Sequence, residues 1–479
     1  MAEIKKAENV TEWLDQRLGI KMLGRVLMTE YWIPKNINFL WAMGVILMTL
    51  FAFLVISGIF LLMYYKPDMN LAFDSVNYTI MQDVAYGWLF RHIHAVGASV
   101  VFLVIYIHMF TGIYYGSYKR GREMIWISGV LLFAVFSAEG FSGYMLPWGQ
   151  MSYWAAYVIT EIFGGIPVIG GDLVVWIRGN FYVADATLTR FFMLHVLLLP
   201  LVIMALIGLH FYALRFPHVN NLSGEEIDFE AEAEKYKQGL KKESKVIPFW
   251  PVFLSKDLFV LGAFMVFFFY LVFYHYGFAM DAVNFDKADG LKTPAHIYPE
   301  WYFLWSYEVL RGWFFNILGI SGKDLGLIAF GIANGILFLM PWLDRSSKVA
   351  GANERKYFGI WFWIFIADMV VLTVYGKLPP TGANAWVGFI ASLVFLYLFI
   401  VLPYVTIKER EANEGKKPNF MLLQLNGLLI VVATVTVLIM ENFIELKDSQ
   451  MTYDVIGYTL VAQFFLNLIY VLANRKGAK

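Results

Sequence analysis

The chain has 479 residues, of which 59% are hydrophobic and only 15% are charged, with 37 basic and 37 acidic side chains. So few charges could not cover the surface of a water-soluble protein of this size, and a net charge of zero gives no reason to expect a nucleic acid as a partner. The sequence contains no cysteine, which excludes disulfides, haem attachment through CxxCH and thiolate-ligated iron–sulfur clusters within the chain.

The N-terminal segment, residues 1–37, is predicted to lie on the surface of a membrane. Between residues 11 and 28, the large apolar side chains of Trp13, Leu14 and Leu23 stand among charged ones. This pattern is typical of an amphipathic helix at the membrane interface. We expect no cleaved signal peptide here, because no compact apolar stretch precedes a small-residue cleavage site.

Ten strongly apolar segments follow, and each is predicted to cross the membrane as a helix. A helix of about 20 residues spans the roughly 30 Å hydrocarbon core of a bilayer. The predicted spans are residues 38–65, 87–116, 125–145, 187–214, 257–278, 325–343, 358–375, 386–405, 421–443 and 453–473. The fold class is therefore an all-α integral membrane protein.

The connections between the spans predict the orientation and division of the chain. Most of the 37 Lys and Arg residues fall in the N-terminus and in every second connection. The positive-inside rule places these parts and both termini in the cytoplasm, and hence the protein in the inner membrane. The charged stretch 217–256 is a predicted cytoplasmic linker between a four-span bundle, 38–216, and a C-terminal membrane domain, 257–408. Residues 409–479 add two further spans.

Four of the eight histidines stand deep in predicted spans, where an ionisable side chain usually faces the protein interior and has a function. His94 and His108 in the second span are fourteen residues apart, and His195 and His210 in the fourth are fifteen apart. On a helix these steps cover about 21 to 22 Å and return to roughly the same face. Since the two spans run in the same direction, His94 pairs with His195 near the positive side. His108 pairs with His210 near the negative, cytoplasmic side.

These pairs predict two stacked bis-histidine haem b sites in a four-helix bundle. Both axial positions of each iron are then filled, so these haems transfer electrons and do not bind oxygen. Interior histidines that serve packing or a proton relay are the alternative interpretation. Two matched pairs make that alternative the less favoured one.

Small residues and arginines add to the haem prediction. Glycines recur at fourteen-residue spacing on one face of the first and third spans, where a porphyrin needs missing side chains: Gly44, Gly58, Gly129 and Gly143. Ordinary small-residue helix packing is the alternative. Arg91 and Arg190 lie near the positive-side histidines, where they either pair with haem propionates or anchor the membrane interface.

The segments RHIHAVGAS, GYMLPWGQMSYW, ATLTRFFMLH and PEWY resemble those of the cytochrome b family of respiratory and photosynthetic bc complexes. The resemblance runs over residues 38–408, through all eight spans of the family. It implies two non-covalent b haems, a quinol:cytochrome c oxidoreductase activity with quinol and quinone as substrates, and a contribution to the proton gradient through a Q cycle. It also implies a Rieske-type iron–sulfur protein and a c-type cytochrome as partners, surrounding lipid, and a homodimeric complex.

The resemblance also implies the residues of two quinone sites. Glu300 and Tyr302 of PEWY, together with Tyr144, fall on the quinol-oxidation pocket of the family on the positive side. Glu300 is expected to accept a proton from quinol, although a turn at the interface is an alternative role for it. On the negative side, the residues that fall on the quinone-reduction pocket are Arg215, Lys256 and Asp257. For these three, a helix cap or an interfacial anchor is the alternative.

Several features depart from the mitochondrial pattern. The fifteen-residue step from His195 to His210 and the arginine at position 215 resemble the photosynthetic branch, yet the chain is not split after the fourth span. It also lacks the cysteine that binds an extra haem in that branch. The last two predicted spans have no counterpart in the mitochondrial pattern.

Two other classes of membrane protein are alternatives to this interpretation. A di-haem membrane anchor of a quinone-linked dehydrogenase or reductase would keep the histidines but has no need of a PEWY segment or a second large domain. A haem-free transporter would show internal repeats and broken helices, which the sequence does not display.

Overall fold

The structure, a computed structural model, describes residues 9–19, 21, 28, 30–316 and 319–415. Eight of its helices are long and apolar enough to cross a membrane, and they confirm the first eight predicted spans. They are α2 (Phe39–Leu62), α3 (Gly87–Tyr114), α4 (Glu123–Met145), α7 (Asp185–Arg215), α9 (Phe249–Tyr274), α11 (Gly322–Leu343), α12 (Lys356–Lys377) and α13 (Ala383–Asn413). The predicted spans 421–443 and 453–473 lie outside the described residues.

Shorter elements connect the spans. They are the helices α1 (Val10–Leu18), α5 (Gln150–Ile162), α6 (Gly170–Arg178), α8 (Phe229–Lys237) and α10 (Leu304–Arg311), and the antiparallel strands β1 (Trp32–Pro34) and β2 (Val246–Pro248). Helix α1 falls within the predicted surface segment and begins at Asn9, whose side chain accepts a hydrogen bond from the backbone N–H of Glu12 at 2.8 Å. Helix α13 continues to Asn413, beyond the predicted end of its span, because hydropathy marks only the apolar part of a helix and misses its polar end.

The spans pack as two neighbouring units. In the N-terminal unit, α2 packs along α3 and α4 packs along α7. Helix α9 then contacts α2 and α3, and the short helix α10 packs against α12, which in turn lies along α13. Buried aromatic side chains from both units form one continuous core. This arrangement sets the PEWY segment, just ahead of α10, against α3.

The charged linker 217–256 is folded against the base of the first span. Strand β2 pairs with β1, with Ile33 opposite Ile247. The Lys35 ammonium donates to the backbone carbonyl of Lys241 at 2.7 Å, and the Trp41 indole donates to that of Asn220 at 3.1 Å. The linker is therefore an ordered part of the N-terminal unit, held by backbone contacts that its composition does not reveal. Its cytoplasmic location stays a prediction.

A buried ionic cluster joins the two units on the same side as this linker, since Arg120, next to Lys119, donates to the backbone carbonyl of Gly224 at 3.1 Å. The Lys119 ammonium, between α3 and α4, lies 2.8 Å from the Asp344 carboxylate that follows α11. Asp344 also accepts two hydrogen bonds from Arg355, at 2.8 and 2.9 Å, and Arg355 donates to Glu409 of α13 at 3.0 Å. The side chains of Arg355 and Asp344 are fully buried. Burial lowers the pKa of Lys119 to about 8, although the Asp344 carboxylate opposes that change.

Candidate functional site

Two histidine pairs face each other inside the N-terminal unit. The ring centroids of His94 and His195 are 6.0 Å apart, and those of His108 and His210 are 6.4 Å apart. Metal–nitrogen bonds of about 2 Å on both sides of one ion, together with the radii of two imidazole rings, give a centroid separation of about 6 Å. Each pair therefore has the spacing that the two axial ligands of one haem iron require.

A hydrogen-bond partner behind the ring fixes the tautomer of His94. Ser57 Oγ lies 3.0 Å from Nδ1 of His94. The single hydroxyl proton of Ser57 is directed at the carbonyl of Phe53, at 2.6 Å. Ser57 must then accept a hydrogen bond from Nδ1–H, which leaves the Nε2 lone pair of His94 available to a metal.

Two further histidines have equivalent partners. Ser128 Oγ lies 2.9 Å from Nδ1 of His210 and donates to the carbonyl of Ile125 at 3.0 Å. Nδ1 of His195 lies 3.1 Å from the backbone carbonyl of Glu139 and 3.0 Å from its carboxylate, and both groups accept hydrogen bonds. Such contacts orient a metal-ligating imidazole and raise its basicity. The rings are thus held as haem ligands need to be.

His195 stands on a widened turn of α7. Residues Leu194–Leu198 form a π-helical turn, just ahead of Pro200, which has no N–H to continue the helical hydrogen bonds. A π-helical turn takes one extra residue into an α-helix. The fifteen-residue step from His195 to His210, which overshoots one face of an ideal α-helix by about 60°, is thereby brought back to the face that a fourteen-residue step gives.

Three of the predicted glycines lie directly beside the histidine rings. A methyl group added at Gly143 would come within 2.4 Å of the His195 ring, so only glycine fits there. One added at Gly58 would lie 3.3 Å from the His94 ring, and Gly129 has the same distance to His210. These close approaches explain why the helices carry glycine at these positions, whether or not a porphyrin is bound.

The remaining predicted bundle residues have different surroundings. A methyl group at Gly44 would meet no atom within 4 Å, so the space beside it is open to a further group. Arg91 lines the cavity that contains His94 and donates to the carbonyl of Val76 at 3.3 Å. Arg190 is exposed and donates to the carbonyl of Trp176 at the end of α6. The structure therefore brings Arg91, and not Arg190, to the wall of the cavity.

One cavity is lined both by the His94–His195 pair and by the PEWY segment. Its wall includes His94, His195, Tyr144, Glu300 and Tyr302. Tyr144, Glu300 and Tyr302, the three residues predicted to take part in quinol oxidation, thus line the same cavity. A molecule bound beside Glu300 would lie next to the volume between the two imidazoles.

Hydrogen bonds fix the PEWY segment to α3. The Trp301 indole donates to Ser99 Oγ at 2.6 Å. The Tyr106 hydroxyl donates to the carbonyl of Tyr302 at 2.5 Å and accepts from the Trp305 indole at 2.8 Å. The ring of Tyr302 also stacks on that of Phe102, with centroids 3.9 Å apart. These contacts hold the backbone around Glu300 at a set position relative to His94.

The surroundings of Glu300 favour proton exchange near neutral pH. Burial raises the pKa of Glu300 to about 7; the Asp281 carboxylate acts in the same direction and Lys377 opposes it. A general base works best when its pKa is close to the working pH. Burial also raises the pKa of Tyr302 well above its ordinary value, so its phenol stays protonated and can donate a hydrogen bond.

The negative-side residues are only partly brought together. Asp257, at the start of α9, is buried, whereas Lys256 is exposed. The Arg215 guanidinium lies 4.0 Å from the ring centre of Tyr31, and Tyr31 stacks on His218 with centroids 5.3 Å apart. Within the described part of the chain, Arg215 Nη1, the Tyr31 hydroxyl and His218 Nδ1 are buried without a hydrogen-bond partner.

Sequence reasoning missed several residues of these sites. Ser57 and Ser128 each precede a predicted glycine, so the repeated Ser-Gly pair at the ends of two bundle helices was a signal that could have revealed them. Glu139 contacts His195 through both its backbone carbonyl and its carboxylate, and no sequence pattern reports this contact. Asp281 lines the cavity with Glu300, yet it lies in an irregular connection nineteen residues earlier, where no pattern marks it. Tyr31 and His218 are far apart in sequence, and their rings come into contact only in the folded protein.

Two family models match the chain. One, described as cytochrome b/b6/petB, matches residues 28–217, and the other, described as the C-terminal part of cytochrome b/b6/petD, matches residues 287–396. The first covers all four histidines, and the second covers the PEWY segment.

Individual proteins match over most of their length. Cytochrome b of Rhodobacter capsulatus is 41% identical over 414 residues, which cover 84% of this chain and 92% of that protein. Cytochrome b of Rickettsia typhi is 40% identical and covers 85% of this chain, with 96% of its own length matched. Among solved structures, a chain of a hyperthermophilic respiratory complex III matches with a TM-score of 0.76 and 39% identity, over 84% of this chain and 100% of that chain.

Proposed function

The chain belongs to the cytochrome b family, as a subunit of a bc1-type complex III, and from this membership we propose its reaction in detail. It is the catalytic membrane subunit of a quinol:cytochrome c oxidoreductase. It oxidises quinol at the positive side, passes one of the two electrons across the membrane, and contributes to the proton gradient through a Q cycle. The family assignment disfavours the di-haem anchor and the haem-free transporter.

The observation that carries this proposal is the shared cavity. His94 and His195, whose ring centroids are 6.0 Å apart, line it together with Glu300. A quinol bound beside Glu300 therefore has a proton acceptor and an electron acceptor site on the same side of the membrane. The second pair, His108 and His210, lies near the opposite side on the same two helices.

The four histidines would hold two b haems, one between the rings of each pair. When bound, these haems supply one-electron transfer between the two sides of the membrane. The chain orients the ligands through Ser57, Ser128 and Glu139. Arg91 adds a positive charge to the wall of the positive-side cavity, where a haem propionate needs a partner.

Glu300 is the proposed proton acceptor of quinol oxidation. Its carboxylate takes the proton of a quinol hydroxyl as an electron leaves the quinol. Because burial raises its pKa to about 7, Glu300 can hold this proton and then release it near neutral pH. The phenols of Tyr144 and Tyr302 line the same cavity and position the quinol.

Quinone reduction is assigned to the negative side, near Arg215, Lys256 and Asp257. Arg215 supplies a permanent positive charge and hydrogen-bond donors to a quinone oxygen as it gains charge. Asp257 is buried at the start of α9 and is the proposed proton donor. Lys256 is exposed, so we assign it to proton uptake from the cytoplasm.

The proposed partners follow from the same assignment. A Rieske-type iron–sulfur protein accepts the other electron of quinol and passes it to a c-type cytochrome. The complex is a homodimer in the inner membrane, with both termini of this chain in the cytoplasm. The distribution of basic residues among the connections supports that orientation.

Glu300→Gln in the intact complex tests the proposal. Glutamine keeps the size of the side chain but accepts no proton at neutral pH. A positioned general base contributes about 10²–10⁴-fold. Water partly replaces it near a surface, so we expect quinol oxidation to slow at least roughly tenfold. Both haems should be retained in the optical spectrum, and reduction of the negative-side haem by the quinol pool should persist when quinol oxidation is blocked. A normal rate with a normal pH dependence would contradict the role of Glu300.

A further inference from the structure

A second carboxylate shares the cavity of Glu300. Asp281 lies in the connection between α9 and α10, and it lines the cavity together with Asn284, Glu300 and Tyr302. Nothing in the PEWY motif points to this residue, because it stands outside the motif. Two carboxylates and two or more phenols in one partly closed space form the chemistry of a proton-transfer chain.

Asp281 is held in place by two hydrogen bonds. The Tyr298 hydroxyl donates to Oδ2 at 2.6 Å, and the backbone N–H of Val283 donates to Oδ1 at 2.8 Å. The negative charge of Asp281 in turn acts on Glu300 and helps to raise the pKa of that group. The charge of Asp281 therefore influences the protonation of Glu300, as expected for two neighbouring groups of a proton relay.

The far side of Asp281 leads to the surface. Tyr298 lies beside His296, with ring centroids 5.3 Å apart. Nε2 of His296 is 2.9 Å from the carbonyl of Lys377, whose ammonium lies 5.6 Å from the ring centre of Tyr298. Lys377 is exposed. Beyond Asp281, the polar groups thus continue to water on the positive side.

We infer that Asp281 is the group that receives the proton from Glu300 and passes it to water at the rim formed by Tyr298, His296 and Lys377. The inference rests on the proposed role of Glu300. In the relay, the Glu300 carboxyl loses the proton it took from quinol, the Asp281 carboxylate gains it, and a water molecule at the rim accepts it. Asp281 acts through Glu300 and does not need to touch the quinol, so it is a positioning and relay residue.

Other charged and titratable groups face the same space. Those that act on Glu300 or Asp281, or line the cavity with them, are Tyr65, Arg91, His94, Glu139, Tyr144, His195, Tyr298, Tyr302 and Lys377. Of these, Lys377 opposes the effect of Asp281 on the pKa of Glu300. The variants below leave all of these groups in place, with the exception of one hydroxyl.

A purely structural role for Asp281 has to be separated from the relay. Its side chain also caps the short turn Ala282–Phe285 through the N–H of Val283. Asp281→Asn retains an oxygen that can accept this hydrogen bond, but it removes the charge and the proton acceptor. Asp281→Glu retains the charge and the acceptor at a slightly different position. A structural role predicts that Asn is the better replacement, and a relay predicts that Glu is.

The experiment uses the intact complex with a short-chain ubiquinol or menaquinol as the donor. For Asp281→Asn, we expect the maximal rate of quinol oxidation to fall at least roughly threefold. Removing the negative charge lowers the pKa of Glu300, so the acid limb of the pH profile should move to lower pH by roughly half a unit or more. The infrared band of the protonated Glu300 carboxyl should titrate at a correspondingly lower pH. Asp281→Glu should recover most of the rate.

Asp286→Asn is the matched control. Asp286 is an exposed acid on the same connection, so the same change of charge there should leave the rate and the pH profile unaltered. If Asp281→Asn prevents assembly of the complex, Tyr298→Phe removes only the hydroxyl that holds Asp281, and the rate should again fall.

The outcomes distinguish this inference from the proposed function. A normal rate and pH profile in Asp281→Asn, or in Tyr298→Phe where the first variant does not assemble, overturns the relay while leaving Glu300 as the first acceptor. If Asp281→Asn oxidises quinol faster than Asp281→Glu does, the relay is also overturned, and Asp281 serves only to cap the turn Ala282–Phe285. If the unaltered complex does not oxidise quinol, or if Glu300→Gln is fully active, the proposed function itself has failed.

Discussion

Three polar contacts behind the histidine rings decide which nitrogen each ring offers to a metal. Ser57 and Ser128 accept from Nδ1–H of His94 and His210, and the carbonyl of Glu139 accepts from that of His195. Such a contact makes the imidazole more basic and favours the oxidised iron. At the scale of single residues, an iron held by these histidines would therefore be tuned by groups that do not touch it.

Replacing one serine should change one haem only. We expect Ser57→Ala to raise the midpoint potential of the positive-side haem and Ser128→Ala to raise that of the negative-side haem, since each His ligand becomes less basic. Potentiometric titration of the optical spectrum measures both. Ser137→Ala is the control, because Ser137 donates only to the carbonyl of Phe133 on the same helix as Ser128. A shift of both potentials by either variant would contradict the assignment.

Glu300 should impose a pH dependence on quinol oxidation. Its folded-state pKa is raised to about 7, so the proton-accepting carboxylate is the minor form below that pH and the major form above it. The rate should therefore increase with pH through about 7 and level off above it. In Glu300→Gln this increase of the rate with pH should disappear, leaving a slow rate that does not change over the same pH range. If the rate still increased with pH after the substitution, the pH dependence would belong to another group.

At the scale of elements, hydropathy and charge predicted the eight described spans but not their internal departures from α-helical geometry. The sequence shows a fifteen-residue step between His195 and His210, and helical arithmetic alone leaves the two rings out of line by about 60°. The π-helical turn Leu194–Leu198 takes up the extra residue, so the step matches the fourteen-residue step from His94 to His108 on α3. Pro200 is compatible with an irregular turn at this point of the helix, but a proline does not specify which irregular turn forms.

Single-residue deletions test the role of this turn. Deleting Leu198 removes the extra residue, so the turn should revert to an α-helix and both haems should be retained. Deleting Leu103 from α3, between His94 and His108, rotates one histidine by about 100° and should remove a haem. Both leucines are exposed on the bundle surface, which makes the pair well matched. Haem content per protein is the measurement, and equal haem loss in the two deletions would contradict this account.

In the molecule as a whole, the arrangement of the segments depends on contacts between residues that are far apart in sequence. The charged stretch 217–256 predicts a division into a four-span unit and a C-terminal unit. That this stretch is folded by the β1–β2 pairing could not be predicted, since three-residue strands leave no periodic signal. Asp281 and Glu300 likewise meet only because an irregular connection returns over the cavity.

The buried cluster of Lys119, Asp344, Arg355 and Glu409 should contribute strongly to stability because it joins the two units. Removing one partner of a buried ion pair leaves a charge uncompensated, which costs about 3–5 kcal/mol. We therefore expect Asp344→Asn to lower the temperature at which the complex loses its haem absorbance. Glu354→Gln, which affects an exposed pair with Lys348 at 4.0 Å, should have almost no effect. Equal effects of the two substitutions would show that the cluster does not stabilise the contact between the two units.

The central claim is that each histidine pair holds one haem, on opposite sides of one membrane subunit. Its most direct test is a potentiometric titration of the reduced-minus-oxidised spectrum of the purified complex, for the unaltered protein, His94→Ala and His108→Ala. We predict two b-type components of unequal potential in the unaltered protein. His94→Ala should lose the positive-side component and His108→Ala the other, with the remaining one intact in each. Two intact bis-histidine haems in His108→Ala, or no b-haem band in the unaltered protein, would contradict the account.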